Sequence, residues 1–169
     1  KRHRDLCFAA DVEHRPASII ITTLAAQVYA GERLIVDALK SISAELSLRA
    51  LPADGYFYIP NPVNPRENFA DRWNENPERA RNFLRWTKRL QNDLAEWTDT
   101  EGGLYRLAES MRPAFGPDVV SKAFEGYGRS QATARATGDM AMAVGSGLLV
   151  KSTASVRSVP VLNHTFFGE

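Results

Sequence analysis

The chain has one cysteine, Cys7, in 169 residues. A single thiol excludes an internal disulfide framework and any cysteine-rich zinc site. Histidine is nearly as scarce. His3, His14 and His164 lie far apart with no shared spacing, so no histidine metal site is expected. No apolar run approaches the roughly 20 residues of a membrane span, and no secretory signal opens the chain. A cytoplasmic setting without membrane contact is therefore the expectation. Neither sign of charge dominates: 21 Lys and Arg stand against 20 Asp and Glu, for a net charge of +1. The chain as a whole thus carries no polyanion-binding signal. A starting methionine is also lacking. The first residues, Lys1-Arg2-His3-Arg4-Asp5, read as the middle of a helix, so a piece of a longer protein is expected.

What is present is ordinary for a globular protein: 44% hydrophobic and 24% charged residues. The length suits one domain with a real core. Residues 1–10 read as the end of a helix, and residues 11–15 as a charged connection. Pro16 falls where a first helical turn accepts proline. Residues 17–30 are apolar almost all round, which predicts a central, buried helix closed by Gly31. Residues 32–49 predict a second helix whose stripe is Ile35, Leu39, Ile42 and Leu46. Pro52-Ala53-Asp54-Gly55 is a turn, and Tyr56-Phe57-Tyr58-Ile59 a short extended piece.

Two Asn-Pro steps follow in the run Asn61-Pro62-Val63-Asn64-Pro65-Arg66-Glu67-Asn68-Phe69-Ala70-Asp71-Arg72-Trp73. Proline fixes its own φ and pushes the preceding residue towards extended backbone. The result is a stiff polar loop, a candidate for lining a site. Asn61, Asn64 and Asn68 are read as structural first. Asn76-Pro77 then offers an N-cap and an N1 proline to a helix with Phe83, Trp86, Leu90, Leu94 and Trp97 on one face. Gly102-Gly103 breaks it. A short helix over 104–111 is expected to stop at Pro113, and another to restart at Gly116-Pro117 on the stripe Val120, Phe124 and Tyr127. The expectation is an all-α bundle of five or six helices over residues 1–151, followed by an irregular, partly mobile tail over residues 152–169.

Several short motifs imitate catalytic signatures. His3-Arg4-Asp5-Leu6 matches the start of a kinase catalytic loop, but the required Asn five residues past the Asp is Ala10, and no Gly-rich loop or Asp-Phe-Gly accompanies it. Gly145-Ser146 resembles the opening of a nucleotidyltransferase site, which needs two carboxylates one residue apart to hold metals. No such pair follows. Asp99-Thr100-Glu101 has the spacing but sits at a helix end. Lys1, Arg2 and Ser18 carry more weight. Ser18 lies in the first turn of a helix, where free N–H groups and partial positive charge favour an anion, and a basic side chain from the preceding helix could converge on it. The competing reading is a serine that only caps its helix and a solvated lysine. The basic residues between Arg79 and Arg89 could contact nucleic acid, but Glu78, Asp93 and Glu96 dilute them, and a solvated face is favoured.

Four stretches in order carry a family resemblance: Lys1-Arg2-His3-Arg4-Asp5, Pro16-Ala17-Ser18-Ile19-Ile20-Ile21-Thr22-Thr23-Leu24-Ala25-Ala26, Asn61-Pro62-Val63-Asn64-Pro65-Arg66-Glu67-Asn68-Phe69, and His164-Thr165-Phe166-Phe167-Gly168. With them the chain resembles the C-terminal helical half of bacterial cyclic-GMP-AMP-synthase/DncV-like nucleotidyltransferases, relatives of oligoadenylate synthases that work in anti-phage signalling. The resemblance implies a full protein that joins nucleoside triphosphates into a cyclic di- or oligonucleotide using Mg2+. The metal and the catalytic carboxylates would belong to an N-terminal lobe, so this chain alone is expected to be inactive. Lys1 and Ser18 would contact the donor triphosphate. The tail, with His164, Phe166, Phe167, Gly168 and Glu169, resembles termini that a ubiquitin-like conjugating enzyme joins to other molecules. An alternative is an interaction module whose tail meets such an enzyme or a HORMA-like regulator. The terminal Glu169 departs from the bare glycine such tails end on.

Overall fold

A computed structural model describes residues 1–143, 149–151 and 158–160. It divides into two compact units, Lys1–Pro117 and Asp118–Glu169.

The first unit contains six helices: α1 (Arg2–Cys7), α2 (Ser18–Val28), α3 (Ile35–Arg49), α4 (Asp71–Glu75), α5 (Pro77–Asp99) and α6 (Gly103–Phe115). Its axis is α5, about 35 Å long at 1.5 Å per residue. This helix begins where local chemistry dictates. Asn76 accepts a hydrogen bond from the Glu78 N–H at 3.1 Å, and Pro77 occupies N1. Its apolar stripe points inward, with Phe83, Trp86 and Leu94 buried. Phe83 and Trp86 join Ile20 and Leu24 of α2, Leu46 and Ala50 at the end of α3, and Trp73 of α4 in one core. Trp73, Phe83 and Trp86 form a chain of ring contacts with centroids 5.1 and 5.9 Å apart. Each such contact contributes about 0.5–1.5 kcal/mol beyond area burial. α1 packs on α6 and α5.

The Asn-Pro loop is held by its own polar groups. The Asn61 N–H donates to the Glu67 carbonyl and the Glu67 N–H to the Asn64 carbonyl, both at 2.9 Å. Asn61 Oδ1 accepts the Val63 N–H. Asn68 is buried and spans the loop. Its Oδ1 accepts from the N–H groups of Ile59 and Ala70, and its Nδ2 donates to the Phe57 carbonyl, each at 2.9 Å. The loop thereby delivers Trp73 into the core. The turn before it has Asp54 and Gly55 both at positive φ, 50° and 79°, the backbone that Asp-Gly favours between paired extended residues.

The second unit contains α7 (Pro117–Ala136), which starts at its boundary, and three short antiparallel strands: β1 (Met140–Ala143), β2 (Leu149–Lys151) and β3 (Ser158–Pro160), in the order β2-β1-β3. Ala141 pairs with Val150 on one side and Pro160 on the other.

The all-α expectation holds for an assembly with seven helices among the described residues, and several details differ. Pro16 precedes the helix start, because Ala17 is the N-cap of α2. That helix is buried on one side only: Ile20, Thr23 and Leu24 are inside, whereas Ile19 is 50% exposed. α2 ends at Val28, ahead of Gly31, and α3 starts at Ile35, so half its predicted stripe lies outside the core. Ile35 is 82% exposed and Leu39 43%, while Leu46 is buried. α6 runs through Pro113 to Phe115. A proline removes one backbone donor, and here the helix continues for less than a turn before Gly116 ends it at φ 86°. The strands were not expected. Ser158–Pro160 forms a strand within the stretch read as irregular tail. The Gly145-Ser146 pair and the tail residues His164, Phe166, Phe167, Gly168 and Glu169 lie outside the described residues.

Candidate functional site

The polar groups of the first unit converge where α1 meets the start of α2. Arg4 is the hinge of this corner. It lies on α1 with only 4% of its surface exposed. Its Nη1 donates to the Pro16 carbonyl at 2.9 Å and to Ser18 Oγ at 2.6 Å. Its Nε and Nη2 donate to Asp5 Oδ1. Arg15 donates to the same carboxylate oxygen at 3.0 Å. Two guanidiniums therefore share one carboxylate, which leaves the corner with a surplus of positive charge. The hydrogen bond from Arg4, reinforced by the charges of Arg4 and Arg15, holds the Asp5 carboxyl below the usual carboxylate range.

This geometry separates the two readings of Ser18. The N-cap of α2 is Ala17, and no side chain caps the helix. Ser18 is the first helical residue and its oxygen accepts from Arg4. A hydroxyl that accepts from a cation still has its own proton to donate, and Ser18 is only half-buried. The corner therefore combines a buried cation, a polarised hydroxyl and the uncapped N–H groups of a helix start. Such a set can receive an oxyanion.

Lys1 is exposed and serves as the N-cap residue of α1, its carbonyl accepting the Asp5 N–H at 2.9 Å. The cation bonded to Ser18 is Arg4, one turn further along α1. Sequence reasoning passed over it. The available signal was helical spacing: Lys1 and Arg4 stand three residues apart and share a face of α1. Arg2 is tied elsewhere, its Nε donating to the Phe115 carbonyl at 3.1 Å.

His3 is buried between Trp86, Trp97 and Phe115. The Trp86 indole N–H donates to His3 Nδ1 at 2.9 Å, so the imidazole proton lies on Nε2, which donates to Asp93 Oδ2 at 2.8 Å. The basic face of α5 is paired internally: Arg81 and Arg85 with Glu78, Arg89 with Asp93. Arg79 turns away, donating to the Glu13 carbonyl at 2.8 Å. That pairing reduces the charge available to a nucleic acid.

No protein-family model matches the chain. A c-di-GMP synthase of Roseivirga ehrenbergii is 35% identical over the whole of this chain, which spans 44% of that protein. The cyclic dinucleotide synthase CdnG of Bradyrhizobium diazoefficiens is 27% identical over 75% of this chain, which covers 31% of its length. The chain thus spans less than half the length of the curated relatives it matches. Among solved structures, that of the Bradyrhizobium diazoefficiens CD-NTase CdnG in complex with GTP superposes with a TM-score of 0.60 at 24% identity. The match covers 75% of this chain and 37% of the other, and at that identity the likeness speaks to fold.

Proposed function

We propose that the chain is a member of the cyclic-GMP-AMP-synthase/DncV-like nucleotidyltransferases, in the part occupied by their C-terminal helical domain, and that it is the helical lobe of an enzyme joining nucleoside triphosphates, GTP among them, into a cyclic di- or oligonucleotide. One observation carries the reading: a half-buried serine hydroxyl at a helix start, polarised by a buried arginine from the preceding helix. Arg4 supplies fixed positive charge and aims the Ser18 hydroxyl. Ser18 donates its proton to a phosphate oxygen of the donor triphosphate. Lys1, exposed at the head of α1, adds a mobile cation at the rim. Held in this way, the polyphosphate stays in place while the reacting groups meet.

The exposed apolar side chains of α2 and the start of α3 support a lobe that rests on more protein. Ile19, Leu34 and Ile35 are each at least half exposed, and apolar surface of that kind marks an interaction site. Among the described residues, no three His, Cys, Asp or Glu side chains converge as a metal site. Magnesium and the catalytic carboxylates are assigned to the rest of the full protein on the family resemblance. When bound there, the metal would polarise the phosphate under attack. A role in anti-phage signalling, and capture of the tail by a ubiquitin-like conjugating enzyme or a HORMA-like regulator, belong to the same proposal. No helix among the described residues is long and apolar enough to cross a membrane.

The test is synthesis by the full-length protein given Mg2+ and labelled nucleoside triphosphates. Cyclic phosphodiester products are expected. Absence of any product across all nucleotide mixtures and activation conditions, together with no carboxylate pair in the full sequence, overturns the reading.

A further inference from the structure

A second basic feature lies on the other flank of the α2 start. His14, Arg15, Pro16 and Ala17 of the connection, Arg72 and Trp73 of α4, and Arg79 of α5 line a cavity of about 70 Å³ together with Ile20 and Phe69. The space is enough for one tetrahedral oxyanion.

Its charge suits such a guest. Arg15 shares Asp5 with Arg4. Arg79, whose side chain is only 22% exposed, has Glu13 as its carboxylate partner, at 3.9 Å, and Glu13 is itself 80% exposed. Arg72 pairs with no carboxylate among the described residues. His14 is hydrogen-bonded to Asp11. Three arginines from three different segments thus line one small space, and their carboxylate partners are shared, distant or turned to solvent. The buried Asn68 fixes the chain that supplies Phe69, Arg72 and Trp73, so the lining is built before any guest arrives.

We infer that this cavity is a binding site for a single phosphate group, separate from the Arg4–Ser18 corner. The inference stands whether or not the chain serves a nucleotide synthase, since it rests on the cavity alone. Guanidinium forks match phosphate oxygens in pairs.

The experiment uses the full-length protein titrated with inorganic phosphate, followed by calorimetry and by ³¹P line broadening. Saturable binding at millimolar phosphate is expected, weakened at least about tenfold by Arg72→Gln and by Arg79→Gln and unchanged by Arg106→Gln on the exposed face of α6. Arg79 also holds the Glu13 carbonyl, so unfolding midpoints are recorded beside each titration, and Arg72→Gln decides if Arg79→Gln fails to fold. GTP then identifies the source of the guest. Displacement of bound phosphate by GTP through a site sensitive to Arg72→Gln shows a nucleotide-borne group, whereas simultaneous binding shows a free anion. Either result supports the cavity. No saturable binding, or binding lost in Ser18→Ala and retained in Arg72→Gln, overturns it. That second outcome would leave the corner's role intact.

Discussion

Asn68→Ala should be among the costliest single changes in the loop region, and its magnitude follows from three bonds. The side chain satisfies the N–H groups of Ile59 and Ala70 and the carbonyl of Phe57, each at 2.9 Å. Ile59 is 2% exposed and Ala70 is fully buried, so water cannot replace the lost acceptor without disturbing the core. An orphaned buried donor costs about 1–3 kcal/mol. Two of them, partly relieved by local relaxation, give an expected loss of about 3–4 kcal/mol. Asn61→Ala is the matched control. It removes an exposed bond to Glu67 and a turn contact to Val63, for about 0–1 kcal/mol. Urea unfolding followed by tryptophan fluorescence reads both, with Trp73 as a reporter beside the loop. With a urea slope of about 2 kcal/mol/M, Asn68→Ala should lower the midpoint by about 1.5–2 M and Asn61→Ala by less than about 0.5 M. Equal shifts for the two variants would refute the idea that Asn68 organises the loop. A large shift should also open the cavity formed by Phe69, Arg72 and Trp73, which links this stability measurement to phosphate binding.

Three further outcomes follow from the corner and its surroundings. Arg4→Lys keeps a charge but loses the fork that reaches Pro16, Ser18 and Asp5 together. It should destabilise the chain by about 1.5–3 kcal/mol, measured by thermal unfolding. Asp5 titrates below its ordinary range because of Arg4 and then Arg15. Its depressed folded-state pKa contributes stability that is fully present above the unfolded value of about 3.9 and is lost as pH falls through the folded value. Asp5→Asn should therefore flatten the acid limb of a stability–pH profile below about pH 4 and leave its shape at higher pH unchanged. Cys7 is pushed up by burial beside Phe8 and Trp86. Its alkylation rate should lag that of a free thiol at pH 8 and rise with further alkali, as measured with an iodoacetamide probe.

What was legible in the sequence was local. Asn76, Pro77 and the stripe from Phe83 to Trp97 announce α5 because capping and amphipathic spacing act within a few residues. The stiff Asn-Pro loop was legible for the same reason. What packs on an apolar face is not local. Residues 17–30 read as buried all round, yet Ile19 faces outward, because the sequence of a helix does not say whether neighbours cover both its sides. The three short strands were hidden too, since β1 draws its partners from residues beyond its own turn and carries only Met and Ala. At the corner, the helix start and its serine were readable from Pro16 onward. The partner was not. Arg4 reaches Ser18 across 14 residues and a charged connection whose path no spacing rule supplies. On α5 the acidic neighbours in the sequence already favour a solvated basic face over a nucleic-acid one, and the structure pairs Arg81, Arg85 and Arg89 with carboxylates on the same helix.

GTP affinity of the full-length protein before and after Ser18→Ala tests the proposed role of the corner most directly. Ser18 caps no helix and Arg4 keeps its bonds to Pro16 and Asp5, so folding stability should change by less than about 1 kcal/mol. Losing one hydrogen bond to a charged phosphate costs about 1.5–3 kcal/mol, and affinity should fall about ten- to a hundredfold. An unaltered dissociation constant in a fully folded variant would contradict it.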